Sequence, residues 1–143
     1  MKTELLAIER TFNAPIEKVW RAITDKDLIR QWFFDIKAFK PEVGFEFQFI
    51  AGKDDVSYLH LCKIIEVVPG QKLRYSWRYE GFSGNSFVTF ELFAEGPATK
   101  LRLSHEGLET LPVSKPGFLN GYYVPGWTQI IGGSLKEFLE KTK

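Results

Sequence analysis

The sequence predicts an α+β fold: an antiparallel sheet of about six to seven strands covered by a long C-terminal helix, with two short helices after the first strand. Three observations predict it. Apolar residues recur at helical spacing between Ile16 and Trp32, at a spacing of two over most of the stretch from Phe34 to Glu106, and at helical spacing again from Trp127.

The last stretch organises the rest. Trp127, Ile130, Ile131, Leu135, Phe138 and Leu139 form one apolar stripe, while Gln129, Lys136 and Glu140 fall on the other face. Pro125 and Gly126 mark where the helix begins, because neither sits well inside one. Burying six such side chains is worth on the order of 10 kcal/mol, so the stripe must be covered, and the strands supply the cover. Ser134 falls inside the stripe, and Gly132 and Gly133 each cost roughly 1 kcal/mol against Ala in a helix. Two readings of these small residues stay open. They let the helix backbone approach a strand closely, or they leave space between helix and sheet for a guest.

From the N-terminus, Glu4 to Phe12 reads as a strand of mixed apolar and charged residues, ended by Asn13-Ala14-Pro15. Pro15 suits the first position of a helix, and Ile16, Val19, Trp20 and Ile23 then repeat at i, i+3, i+4 and i+7. Asp25 caps a second helix, Lys26 to Trp32, with Leu28, Ile29 and Trp32 apolar. Four later runs alternate cleanly: Phe45-Phe47-Phe49, Leu73-Tyr75-Trp77-Tyr79, Val88-Phe90-Leu92 and Leu101-Leu103-His105. Each has one buried and one wet face. Turn residues separate them, at Pro41–Gly44, Gly52–Asp55, Pro69-Gly70, Gly81–Asn85 and Gly96-Pro97. Ser57 to Val68 is another strand, but both of its parities carry apolar residues, so its inward face is not fixed by pattern. Thr110 to Val124 is aromatic and aperiodic; it is read either as a lid or as an irregular connection packed on the core.

Composition narrows the function classes. The chain has 143 residues, one domain by size (1–143), with thirteen Phe, five Tyr and four Trp. Nineteen basic against eighteen acidic residues leave no electrostatic footprint for nucleic acid and no polybasic membrane anchor. A lone cysteine, Cys62, excludes an internal disulfide and fits a reducing compartment. Neither a signal-peptide apolar region nor a membrane-length apolar run is found, so the expectation is a cytoplasmic domain with no membrane insertion.

Ala14-Pro15-Ile16-Glu17-Lys18-Val19-Trp20 resembles the AP-x-x-x-VW signature of the START-like (SRPBCC) superfamily. Trp32, Glu66-Val67-Val68-Pro69 followed by Leu73 and Trp77, Ser104-His105-Glu106-Gly107-Leu108, and Gly126-Trp127 extend the resemblance over essentially the whole chain. Together they are similar to the branch related to the activator of the 90-kDa heat-shock protein ATPase. The resemblance implies a helix-grip fold, in which a curved sheet wraps around the C-terminal helix and leaves a largely apolar cavity. It does not imply one activity: members of the superfamily bind lipids, hormones or polyketides, some catalyse cyclisation, and the namesake branch binds a chaperone and belongs to the stress response. A glycine common in the family's middle strand corresponds to Cys62 here, which narrows the cavity locally.

Motifs of catalysis are sparse. Two histidines, His60 and His105, and one cysteine give no zinc spacing, and there is no G-x-S-x-G, phosphate-cradling glycine loop or H-E-x-x-H. Cys62 reads as a small buried core residue. His105 is on the inward parity of its strand, as a satisfied core histidine or as a polar group that orients a ligand. The expectation is therefore a binding domain without intrinsic catalysis, metal or cofactor, holding a small apolar or aromatic molecule between sheet and C-terminal helix. Trp32, Tyr75, Trp77, His105, Tyr122, Tyr123, Trp127 and Ser134 would line the site. The alternatives are a co-chaperone-like module that stimulates a heat-shock ATPase and, third, a cyclase-type enzyme. The expected state is a monomer or weak dimer.

Overall fold

The computed structural model describes residues 5–32, 39–53, 56–79, 85–107 and 127–141. Strand β1 (Leu5–Phe12) leads into helices α1 (Ile16–Thr24) and α2 (Lys26–Trp32). Five strands follow: β2 (Glu46–Lys53), β3 (Val56–Val68), β4 (Lys72–Tyr79), β5 (Ser86–Glu95) and β6 (Ala98–Glu106). A π-helical turn (Ile130–Leu135) and α3 (Lys136–Lys141) come last. All strand pairs are antiparallel, in the order β1-β6-β5-β4-β3-β2, so a five-strand meander is completed by the first strand returning beside the last. The architecture is the expected helix-grip arrangement, an antiparallel sheet carrying the C-terminal helical segment.

Pro15 stands one place earlier than expected. Its φ of −70° and ψ of 156° are extended, so it precedes the helix and its carbonyl accepts from the Lys18 (3.0 Å) and Val19 (3.2 Å) amides. Asp25 caps α2 as predicted, its Oδ1 accepting from the Asp27 amide at 2.9 Å. The alternating runs all bury the predicted parity, with Leu73, Tyr75, Trp77 and Tyr79 inward from β4 and Leu101, Leu103 and His105 from β6. In β3 the inward residues are His60, Cys62 and Ile64, after which the register shifts between Ile64 and Glu66. Val67, beyond that bulge, packs on the core as well. The bulge switches parity in mid-strand and accounts for Val67, whereas Leu59 and Leu61, before it, are apolar on the outward parity.

The C-terminal segment is not a uniform α-helix. Trp127, Ile131, Leu135 and Leu139 are its buried residues, at four-residue intervals. At about 100° per residue, an α-helix would turn Leu139 roughly 120° away from Trp127. The wider i→i+5 turn spends about one extra residue and takes up that drift, so all four side chains face the sheet. Ile130 and Phe138, expected on the stripe, flank it and are partly buried. The glycines lie in the π turn. A Cβ on Gly132 would meet the Arg10 side chain at 3.2 Å, and one on Gly133 the Gln129 side chain at 3.1 Å. The close neighbours are thus flexible side chains, not strand backbone. Lys18 Nζ donates to the Leu139 carbonyl (2.8 Å) and the Asn13 amide to Glu140 (3.1 Å), tying this segment to the β1–α1 junction.

Candidate functional site

The inner face of β2–β5 is paved with rings because each strand puts aromatic residues on its inward parity. Phe49 stacks on His60 with centroids 4.6 Å apart, and Trp77 meets His60 (5.0 Å), His105 (5.3 Å) and Trp127 (5.5 Å). Toward the helices, Phe47 stands edge-on to Tyr75 (5.0 Å) and to Phe39 (5.1 Å). Such edge and offset contacts each add about 0.5–1.5 kcal/mol to simple burial.

Within this apolar bed runs one polar chain. Trp127 Nε1–H donates to His105 Nδ1 at 3.0 Å; His105 Nε2 lies 2.9 Å from Ser86 Oγ; and Ser86 Oγ–H donates to the Trp77 carbonyl at 2.7 Å. An indole nitrogen can only donate, so Nδ1 of His105 is the acceptor and Nε2 carries the proton. Burial, with His60 close by, holds the His105 pKa down at about 3, and the ring is neutral at physiological pH. Gly107 helps to place Ser86. Its φ of +85° suits glycine, and a Cβ there would come within 2.9 Å of the Asn85 carbonyl.

A serine 2.9 Å from a histidine invites comparison with a nucleophile–base pair. The protons run the wrong way. Nε2 donates toward Ser86 rather than accepting from it, and the serine proton is committed to a backbone carbonyl, so His105 does not activate Ser86 as a base. Cys62 is buried on the same face, and burial pushes its thiol well above the ordinary range despite Arg78 nearby. Among the described residues no three His, Cys, Asp or Glu side chains come together as a metal site.

A small void lies where α1 and α2 meet the sheet, rather than between the sheet and the C-terminal helix as expected. Its volume is about 10 Å³, and Ile23, Ile29, Trp32, Phe39, Phe47, Tyr75 and Phe90 line it. Tyr75 is 2% exposed, and among the described residues its hydroxyl has no hydrogen-bond partner. Burial raises its pKa well above the ordinary value, so it stays a neutral hydroxyl.

The structure therefore divides the predicted residues. Trp32 and Tyr75 line the void, and Trp77, His105 and Trp127 form the polar chain beside it. The indole N–H groups are spent inside the protein: Trp32 on the Ala22 carbonyl (2.8 Å), Trp77 on the Tyr79 hydroxyl (2.9 Å) and Trp127 on His105. Ser134 sits half-buried on the flank between Ile131 and Leu135 and lines neither the void nor the outer groove described below. Tyr122 and Tyr123, with the rest of 110–124, lie outside the described residues. Sequence reasoning missed Ser86, Phe39 and His60. His60 was hidden by the apolar residues on both parities of β3, and Ser86 by its place at the mouth of a turn.

The sequence matches the family described as "Activator of Hsp90 ATPase homolog 1-like protein" over residues 13–140. Among solved structures, protein MLL2253 from Mesorhizobium loti is 30% identical, with a TM-score of 0.80 over 98% of this chain and 99% of its own. CalU16 from Micromonospora echinospora is 25% identical, with a TM-score of 0.73 over 97% and 87%. DynU16, a protein in the dynemicin biosynthetic locus, is 24% identical, with a TM-score of 0.77 over 97% of this chain but 48% of its own. No curated protein matches the sequence. Among the described residues no helix is long and apolar enough to cross a membrane.

Proposed function

The chain belongs to the Activator of Hsp90 ATPase homolog 1-like family of the START-like superfamily, and from that membership we propose that it binds a small apolar or aromatic molecule between the helices and the inner face of the sheet. The observation that carries this reading is the Tyr75 hydroxyl, without a partner among the described residues, at a void walled by aromatic and aliphatic side chains. An apolar wall with one or two polar groups is the usual make-up of a small-molecule site. A void of about 10 Å³ holds no more than a water, so a guest must move rings aside, and the partly buried Phe39 is the ring placed to yield. The guest is thus an aromatic molecule with one polar atom to meet Tyr75. The same reading takes the 143 residues as one domain.

The test uses 2-naphthol, neutral at pH 7. It should raise the melting temperature in a concentration-dependent way and alter tryptophan fluorescence through Trp32. Tyr75→Phe should stay folded and bind it several-fold more weakly, as the loss of one hydrogen bond requires. Equal binding by the Tyr75→Phe protein, or no thermal shift with any neutral aromatic, would sink this reading. The family description by itself favours a second one, stimulation of a heat-shock ATPase, which co-purification with that chaperone and an ATPase assay would test. The cyclase reading gains nothing from the His105–Ser86 pair, whose protons oppose it.

A further inference from the structure

The sheet has a second recess, on the face away from the helices. A groove of about 870 Å³ runs across the outer face of β2, β3 and β4. The strand registers arrange its floor in rows: Glu46 opposite Lys63 and then Ser76; Gln48 opposite Leu61 and then Arg78; Ile50 opposite Leu59. All of these side chains point outward, because Phe47, Phe49, Cys62 and Trp77 between them point in. Ile50 is 69% exposed, a large aliphatic side chain left in water, and Leu59 and Leu61 continue its surface. The charges are unbalanced. Lys63 and Arg78 share the floor with one acid, Glu46, which stands opposite Lys63 in register; neither cation forms an ion pair among the described residues, and Arg78, exposed, has Leu61 rather than an acid opposite it.

We propose that this groove is a binding site, separate from the inner one, for a single amphipathic monocarboxylate, with its head group on Arg78 and its chain along Leu61, Leu59 and Ile50. One uncompensated guanidinium calls for one negative charge, and its planar fork pairs with a carboxylate through two parallel hydrogen bonds. Leu61 and Leu59 are two residues apart on one strand, roughly 7 Å, which suits a medium-length chain rather than a long acyl tail. The volume is that of a small-molecule site.

Octanoate below its micelle concentration is the probe, read by methyl NMR. Saturable shifts are expected at Ile50, Leu59 and Leu61. Arg78→Gln, an exposed substitution that leaves the fold intact, should weaken binding about tenfold, as loss of a charged hydrogen-bond partner does. 1-Octanol should bind as poorly to the wild type. Glu46→Gln, which removes the one acid of the floor, should bind octanoate more tightly. Tyr75→Phe should leave octanoate binding unchanged, so this site and the inner one can fail separately. Methyl shifts centred on Ile23 and Ile29, which line the inner void, or unchanged affinity in the Arg78→Gln protein, would overturn the proposal. So would a dimer in sedimentation whose dissociation by dilution shifts the groove methyls without octanoate, since a second copy would then be the occupant.

Discussion

Adding a proton to Nδ1 of His105 would set two donors, the imidazolium N–H and the Trp127 indole N–H, against each other at 3.0 Å. Burial, with His60 close by, keeps the folded protein from taking that proton until about pH 3, while the unfolded chain takes it near 6.5. Between those values the unfolded state binds more protons, so stability is full above about 6.5 and falls as pH drops toward 3, by up to about 1.4 kcal/mol per pH unit. Urea denaturation at pH 7 and pH 5 should show a clear loss in the wild type and a smaller one in His105→Gln; an equal loss would remove His105 from the account. Cys62 makes a second prediction at this scale. Its buried, neutral thiol should react with a maleimide at pH 7 only as fast as the protein unfolds, and fast labelling of the native state would refute its burial. The inward parity of His105, Tyr75 and Trp77 was legible from alternation alone. What alternation does not carry is hydrogen-bond partnership: that the three indole N–H groups are already spent follows from three-dimensional contacts with Ala22, Tyr79 and His105, two of them distant in sequence.

Among the elements, the C-terminal segment departs most from its sequence reading. A π turn inside an α-helix amounts to one inserted residue, and here it holds Trp127, Ile131, Leu135 and Leu139 in line. Helical spacing in the sequence cannot reveal it, because the six apolar residues of the stripe already spread over about 180° on a regular α-helix, wider than the drift. Gly132-Gly133 was the one local sign, and both glycines have ordinary φ values, so the turn does not depend on glycine's left-handed freedom. The bulge in β3 is the strand counterpart, and the apolar residues on both parities concealed it, since Leu59 and Leu61 lie before it and face outward. The consequence for the helix can be tested by deletion. Removing Gly133 should let the segment close as a regular α-helix with the same four residues facing the sheet, at little or no cost in stability. Removing Glu137, from α3, should instead rotate Leu139 by about 100° out of the core. Chemical denaturation of the two deletions compares them directly. Should the Gly133 deletion prove as damaging as the Glu137 deletion, the π turn is not what aligns the stripe.

Over the whole molecule, the order of β2 to β6 follows from turn chemistry, since four short breaks, three of them containing Gly or Pro, make sequential strands neighbours. The return of β1 to β6 has no local signal and was implied only by the family resemblance. What binds these layers beyond apolar burial is the chain Trp127–His105–Ser86–Trp77, which passes from the C-terminal segment through β6 and β5 to β4. Each link depends on the next, because the indole fixes the tautomer of His105, the tautomer directs Nε2–H to Ser86, and Ser86 sends its own proton to the Trp77 carbonyl. Trp127→Phe should leave Nδ1 of His105 unsatisfied, and Ser86→Ala should leave Nε2–H unsatisfied, each at about 1–3 kcal/mol. In the double variant the imidazole is freed at both ends and can turn or admit water. Its loss should therefore fall short of the sum of the two single losses by 0.5 kcal/mol or more, on the order seen for residues in one network. A double-mutant cycle by urea denaturation, with slopes compared to confirm an unchanged unfolding transition, measures that term. Strict additivity would mean that the helix and the sheet meet here through burial alone, and that the polar chain does not couple them.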